Sequence, residues 1–244
     1  MTRVVLGPRA VEEALRADAR RIAVIYAQPE GTRFAAIEEL ARRANVRFEP
    51  GTNETLDALA KGARHQGIAA IAGEYEYVDL EVILQDAEPR PLLVALDQIS
   101  DPHNFGAIVR SAVAFGADGV VTLKDRASPV TPVVVRASAG ATERARIARV
   151  TNLARSLDLL KRQGLQLVGL DAEGGVPLHE VPYPVEGRVL VIGSEGHGLR
   201  RLTREACDAL ARIDMSGPIA SLNASVAASI ALYESARARG MLRD

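Results

Sequence analysis

Three short stretches carry residues whose types and spacing could do chemistry. In DPHNFGAIVR, at 101–110, Asn104 is the expected cap at the entry of a predicted helix and Arg110 lies six residues on. Helical side chains lean toward the N-terminus, so Arg110 reaches back over Gly106. The two polar groups could then converge at the helix mouth, where free N–H groups favour an anion. In VIGSEGHGL, at 191–199, Glu195 sits among Gly193, Gly196 and Gly198. A glycine loop after a buried strand suits a nucleotide-like ligand, but a carboxylate repels phosphate, so Glu195 suits a cation or a hydroxyl. In DMSGPIASLNASVAAS, at 214–229, Ser221 and Asn223 fall in the first turn of a predicted helix with a face of Ala and Ser. Taken alone, each stretch also has a plain explanation: a capped surface helix, a strand-to-helix turn, an alanine-rich packing helix.

Several chemistries are excluded. The glycine loop lacks the Gly-Lys-Ser/Thr of a Walker loop and the G-x-G-x-x-G of dinucleotide folds. The first strand of this half does not run into a G-x-G-x-G turn, as a Rossmann-type methyltransferase requires. His103 and His197 lie in these loops without a Ser, Cys or Asp partner at the spacing of a hydrolase triad. Four histidines and one cysteine form no zinc pattern, so the protein is expected to be metal-free. Cys207, in a predicted helix, reads as a packing residue, and a single cysteine fits a reducing cytoplasm.

The net charge of −1 creates no global basic field. All but three of the 30 basic side chains are arginine, the lysines being Lys61, Lys124 and Lys161. Arginine suits phosphate and base stacking. A GC-rich coding bias gives the same excess, so composition names no partner. No apolar run approaches the ~18 residues of a membrane span, and MTRVVLGPRAVEEAL turns polar too soon for a signal peptide.

The elements that must position these residues alternate along the chain. AVEEALRADA, RIAVIYAQ, RFAAIEELARRA, VRFEP, ETLDALAKGA and GIAAIAGEY read as helix and strand in turn, a small α/β unit over residues 1–76. Residues 77–91, polar and ending in Pro89 and Pro91, read as a linker. LLVALDQ is then a continuous apolar strand of the buried parallel type. The helix NFGAIVRSAVAFGA follows, gathering Phe105, Ile108, Val109, Ala112 and Phe115 on one stripe. Arg110 falls roughly 160° from that stripe at 100° per residue. GVVTL, LQLVGLD and RVLVIG are further strands; NLARSLDLLKRQG is a helix ended by Gly164, and LTREACDALA a helix opened by a threonine cap. A last helix starts at about Ser221. This pattern predicts an open, mostly parallel α/β sheet over 92–244, with ligands at loops beyond the strand C-termini.

In this order, the three stretches resemble the motifs of the SpoU/TrmH family of RNA ribose methyltransferases, within the SPOUT superfamily. SAGATE at 138–143 and RVTNLARSL at 149–157 fit the segment between them. LGPRAVEEAL and RHQGIAAIA resemble the N-terminal RNA substrate-binding domain of rRNA-modifying members. The resemblance implies a knotted SPOUT-type parallel-sheet domain, S-adenosylmethionine as cofactor and a cytoplasmic homodimer. It implies large-subunit rRNA as substrate, with a guanosine ribose in the peptidyl-transferase P loop as the methylated group.

By match to the motifs, Asn104, Arg110, Glu195, Ser221 and Asn223 form the catalytic centre. Gly193, Ile213 and Leu222 lie on the loops that hold the cofactor, with Leu170, Met215 and Gly196 in the same pocket. Guanidinium pKa exceeds ~12, so Arg110 is expected to act as a phosphate and alkoxide clamp rather than as a base. Glu195 is expected to orient Arg110 or accept a proton, and the two asparagines to position the ribose. A tRNA substrate is the alternative, disfavoured because tRNA-specific members usually lack the N-terminal unit. A catalytically silent RNA-binding relative is disfavoured because it has no chemical reason to keep these side chains. Three positions depart from the family pattern: Arg9 stands where His or Asn is usual, Asp214 where proline is usual, and Ala224 where valine is common.

Overall fold

The computed structural model describes residues 2–29, 31–219 and 221–240. In chain order the elements begin with β1 (Thr2–Leu6), α1 (Pro8–Asp18), β2 (Ile22–Ala27), α2 (Ala35–Arg43), β3 (Arg47–Pro50), α3 (Asn53–Ala60) and β4 (Ile68–Gly73). Next come α4 (Leu80–Gln85), β5 (Leu92–Asp97), α5 (Pro102–Ala114), β6 (Gly119–Leu123), α6 (Pro132–Ala137), β7 (Ile147–Val150) and α7 (Leu153–Arg162). The last are β8 (Gln166–Leu170), β9 (Val176–Pro177), β10 (Arg188–Gly193), α8 (Arg201–Ala206), β11 (Ala209–Arg212) and α9 (Ala224–Arg239). They form two units, one of residues 1–76 with 130–144, the other of 77–129 with the chain from 145 onward.

The first unit is a four-stranded sheet in the order β1-β4-β2-β3, with only β2 and β3 parallel. Its core joins Val5, Val11, Leu15, Ile25, Ile37 and Ile68. β1 has no counterpart among the predicted strands. It is short, buries only Val5 and Leu6 fully, and exists through pairing with β4 far along the chain. Residues 130–144 fold with this unit, although the predicted boundaries put them in 92–244. The reasons are tertiary: Val135 enters the same core, and Arg3 donates to both Glu143 carboxylate oxygens, at 2.7 and 2.5 Å. Nothing local in PVVVRA says which sheet its valines will cover.

The second unit is a seven-stranded sheet, every pairing parallel, in the order β7-β6-β5-β10-β8-β11-β9. All six residues of β5 are buried, and the five before Asp97 form an unbroken apolar run. The chain passes outward from β5 through β6 to β7, then returns, and β10 enters between β5 and β8. Strand order reverses there, and a crevice opens at the C-terminal ends of β5 and β10, where sheets of this kind bind ligands.

Three predicted boundaries are corrected. The linker 77–91 is partly folded: Val78 bridges to Ala148, and α4 buries Leu80 and Ile83 against the sheet. The helix predicted over LTREACDALA stops at Ala206, with Thr203 buried inside it rather than capping it. Cys207 turns to an extended conformation, and the Asp208 carboxylate accepts the Leu167 N–H at 2.8 Å, drawing Ala209–Arg212 into the sheet as β11. The last helix begins at Ala224 rather than Ser221 because Asn223 caps it.

Candidate active site

The opening of α5 sets the first functional side chain. The Asp101 carboxylate accepts the N–H groups of His103 and Asn104, at 3.0 and 3.3 Å, and Pro102 begins the helix. Asp101 is therefore the cap, a role the sequence reading gave to Asn104. Relieved of capping, Asn104 turns its amide inward and is only 7% exposed. Its Nδ2 donates to Glu195 Oε1 at 2.7 Å, and its Oδ1 accepts from Asn223 Nδ2 at 3.1 Å. Asn223 Nδ2 also donates to Glu195 Oε1. Asn223 Oδ1 in turn accepts the N–H groups of Ser225 and Val226, at 2.9 and 3.3 Å, and so caps α9. One asparagine thus ends a helix and aims an amide at a carboxylate. Glu195 Oε2 has no partner among the described residues.

Glu195 stands on a tight loop. Ser194 and Gly198 exchange backbone hydrogen bonds of 3.1 and 2.9 Å, and Gly196 and Gly198 take positive φ to close the turn. Gly193 meets the returning chain directly: a Cβ there would lie 2.2 Å from the Gly198 carbonyl carbon. The loop exit is tied to β5 by Asp97, which is wholly buried and paired in register with Gly193. Its carboxylate accepts from Arg200 Nε at 2.6 Å and from the Arg200 N–H at 2.9 Å. Sequence reasoning missed this pair, whose only trace is an acidic residue ending an apolar strand.

Beside the loop, a cleft of about 380 Å³ is lined by Leu170, Gly193, Gly196, Ile213, Met215 and Leu222, all six predicted cofactor residues. Ser221 and Glu195 line it too. Its size is that of a small-molecule site. Across it Arg204 Nη1 pairs with Asp171 Oδ2 at 2.8 Å, a second charged pair that the motifs did not announce. Among the described residues no group of His, Cys, Asp or Glu is arranged to hold a metal ion, and no helix is long and apolar enough to cross a membrane.

Of the five predicted catalytic residues, Asn104, Glu195 and Asn223 are bonded together and Ser221 lines the cleft. Arg110 stands apart, exposed and bonded to no described residue. Six residues advance about 240° around a helix beyond one full turn and about 9 Å along it, and among the described residues no bond joins Asn104 to Arg110. Glu195 makes no bond to Arg110 among the described residues; its Oε1 is held by the two asparagines.

A family model described as the SpoU rRNA methylase family matches residues 91–233, and one described as RNA 2'-O ribose methyltransferase substrate binding matches residues 4–78. The chain is 42% identical to the 23S rRNA (guanosine-2'-O-)-methyltransferase RlmB of Bordetella pertussis, over 98% of both chains. Among solved structures, the SpoU methyltransferase AviRb from Streptomyces viridochromogenes, in complex with the cofactor AdoMet, superposes with a TM-score of 0.82 at 28% identity. That match covers 98% of this chain and 91% of AviRb. The TrmH/SpoU tRNA modifying enzyme of A. aeolicus, 29% identical with a TM-score of 0.56, covers 65% of this chain and is itself covered to 79%.

Proposed function

Because the chain belongs to the SpoU rRNA methylase family, we propose that it transfers a methyl group from S-adenosylmethionine to a ribose 2'-hydroxyl of large-subunit rRNA, a guanosine of the peptidyl-transferase P loop. The observation that carries this reading is the joining of Glu195, Asn104 and Asn223, drawn from three distant segments, at the edge of the cleft. The first unit supports rRNA over tRNA, since the tRNA modifying relative matches only 65% of the chain.

The cleft fits the cofactor. Leu170, Ile192, Ile213 and Leu222 offer apolar walls for a nucleoside, the Gly193–Gly198 backbone offers polar groups at close range, and Glu195 places a carboxylate at the edge, suited to a sulfonium. When bound, the cofactor supplies a methyl group activated by positive sulfur. The residues of the chain do the rest. Asn104 and Asn223 hold the Glu195 carboxyl by Oε1, leaving Oε2 to accept the hydrogen bond of the incoming hydroxyl and then its proton. The carboxyl orientation is fixed before substrate arrives, so no reorganisation is needed when the oxygen attacks.

Arg110 is assigned the clamp on the substrate phosphate and developing alkoxide. Its exposure and the lack of any bond to Glu195 among the described residues favour a homodimer in which the partner supplies it. α9 leaves Val226, Ile230 and Tyr233 partly exposed on one stripe, at 46%, 36% and 45%, and joins α5 through the Ser111 and Ser229 hydroxyls, 2.7 Å apart. The knotted threading of the second unit and a cytoplasmic location belong to the same reading. Asp214, where the family has proline, is held instead by Arg212 Nε at 3.0 Å. Arg9 is exposed on α1, and Ala224 opens α9.

The test is a pair of measurements. Calorimetric titration with S-adenosylmethionine should give one saturable site per chain. Ribose-methylation mapping of rRNA from a strain lacking the gene should show one 2'-O-methylguanosine lost in the P loop. An unchanged rRNA map would overturn the assignment, and a lost tRNA mark would transfer it.

A further inference from the structure

Ser194, Glu195 and His197 line the cofactor cleft and also a second cleft of about 440 Å³, where Gln98, Ser100, Asp101, Asn104 and Arg126 join them. It is built from the loops that follow β5 and β6, tied together where Ser128 N–H donates to the Ile99 carbonyl at 2.9 Å. Both loops hold a non-glycine residue in the left-handed region, Gln98 at φ 62° and Arg126 at φ 58°. Such conformations persist only where the surrounding structure enforces them, and they gather at ligand sites.

The charges of this cleft are unequally engaged. The Asp101 carboxylate is occupied by two backbone N–H groups and Glu195 Oε1 by two amides. Arg126 is exposed and bonded to no described residue, unlike Arg200 at the neighbouring loop. A guanidinium with no described partner, lining the same cleft as the proposed proton acceptor, is available to a phosphate, which it can bind through two parallel N–H bonds.

We propose that this second cleft seats the RNA nucleotide next to the target ribose and that Arg126 is a positioning residue that grips its phosphate. The inference rests on the rRNA ribose methylation reading. The phosphate binds Arg126, and the sugar and base edges face Gln98, Ser100 and Glu195. The target hydroxyl is thereby held between the two clefts.

The experiment compares wild type with Arg126→Ala, Arg126→Lys and Arg126→Gly on an unmodified large-subunit rRNA transcript. Glycine is the residue best suited to φ 58°, so R126G removes the guanidinium while relieving the backbone. The expected result for R126A and R126G is an RNA KM raised about tenfold, with kcat within about threefold and unchanged affinity for S-adenosylmethionine. The slope of log(kcat/KM) against log salt should become shallower by about 0.7 to 0.9, one phosphate contact, and R126K should restore most of that slope. A wild-type KM and salt slope in R126G, while the wild type methylates the transcript, would overturn the proposal and leave the functional reading standing. Weakened S-adenosylmethionine binding in R126G would also overturn it, assigning Arg126 to the cofactor. No methylation by the wild type would remove the functional reading, and this inference with it.

Discussion

Asp97 and Arg200 form an ion pair of 2.6 Å in which the carboxylate is wholly buried and the guanidinium reaches it from the exit of the glycine loop. The pair couples the end of β5 to the loop that carries Glu195. Arg200→Ala leaves a buried carboxylate with only a backbone N–H as partner. Stability should fall by about 2–4 kcal/mol, read from urea denaturation. S-adenosylmethionine affinity should fall as well, because the loop loses its anchor. A variant as stable as wild type would mean that water replaces the guanidinium without loss.

Gly193 admits no side chain. A Cβ would come within 2.4 Å of the Gly198 carbonyl oxygen and 2.5 Å of the Leu199 nitrogen, both backbone atoms that cannot rotate aside. Gly193→Ala should therefore reshape the cofactor cleft. Overpacking should cost about 1–3 kcal/mol of stability, and if the loop shifts to relieve it, S-adenosylmethionine affinity should fall roughly tenfold, a loss of about 1.4 kcal/mol. Calorimetry on the folded variant checks this, with Gly175→Ala as a control at a position where a Cβ meets nothing within 4 Å.

Asn223 has two duties that substitution can separate. Asn223→Ala loses the α9 cap, worth about 1 kcal/mol, and also the amide on Glu195. Asn223→Asp keeps an oxygen for the cap but sets a second carboxylate against Glu195. Melting temperatures should fall for the alanine variant and change less for the aspartate. Methyl transfer should fall about a hundredfold in both. Activity that follows stability would show that capping is the whole role.

Arg110 gives a test of assembly. If a partner subunit supplies it, Arg110→Ala and Glu195→Ala proteins, each inactive alone, should regain activity when refolded together, since each mixed dimer then holds one intact site. If Arg110 serves its own chain, every site in the mixture is defective and no activity returns. Turnover of the mixture against the separate variants decides it.

Cys207 carries a pH signature. Burial pushes its thiol up to about 12, with the nearby Asp208 charge adding to the effect. An unfolded cysteine titrates near ~8.5. The folded state then holds the proton more tightly, so this contribution is intact below about pH 8.5 and is lost as pH rises toward 12. Between pH 8.5 and 10.5, stability should fall more steeply in wild type than in Cys207→Ala, by up to about 1.4 kcal/mol per pH unit. Native protein should also resist thiol alkylation until it unfolds.

Much of this was legible in the residues. The apolar stretches of β5 and β10 announced buried parallel strands, and Gly193, Gly196 and Leu222, matched from separate motifs, line one cleft. What escaped was tertiary. β1 exists by pairing with a strand some 70 residues away, and residues 130–144 fold with the first unit although β6 and β7, on either side of them in sequence, belong to the second. The helix predicted through Cys207 broke because Asp208 bonds to the Leu167 backbone. Asp101 rather than Asn104 caps α5, a choice that neighbouring polar residues leave ambiguous until the backbone is seen. Arg110 could be placed on its helix from spacing alone, but not relative to Glu195.

The entry of β10 between β5 and β8 has a consequence in time. A chain that adds each strand beside the last can fold as it emerges, but here the central strand arrives after both of its neighbours. The pairings it makes close loops of tens of residues, and such non-local closure slows folding. Asn104 is synthesised long before Glu195 and Asn223, so the nascent protein spends most of its synthesis without the proposed active site, which is joined only once β10 has entered the sheet.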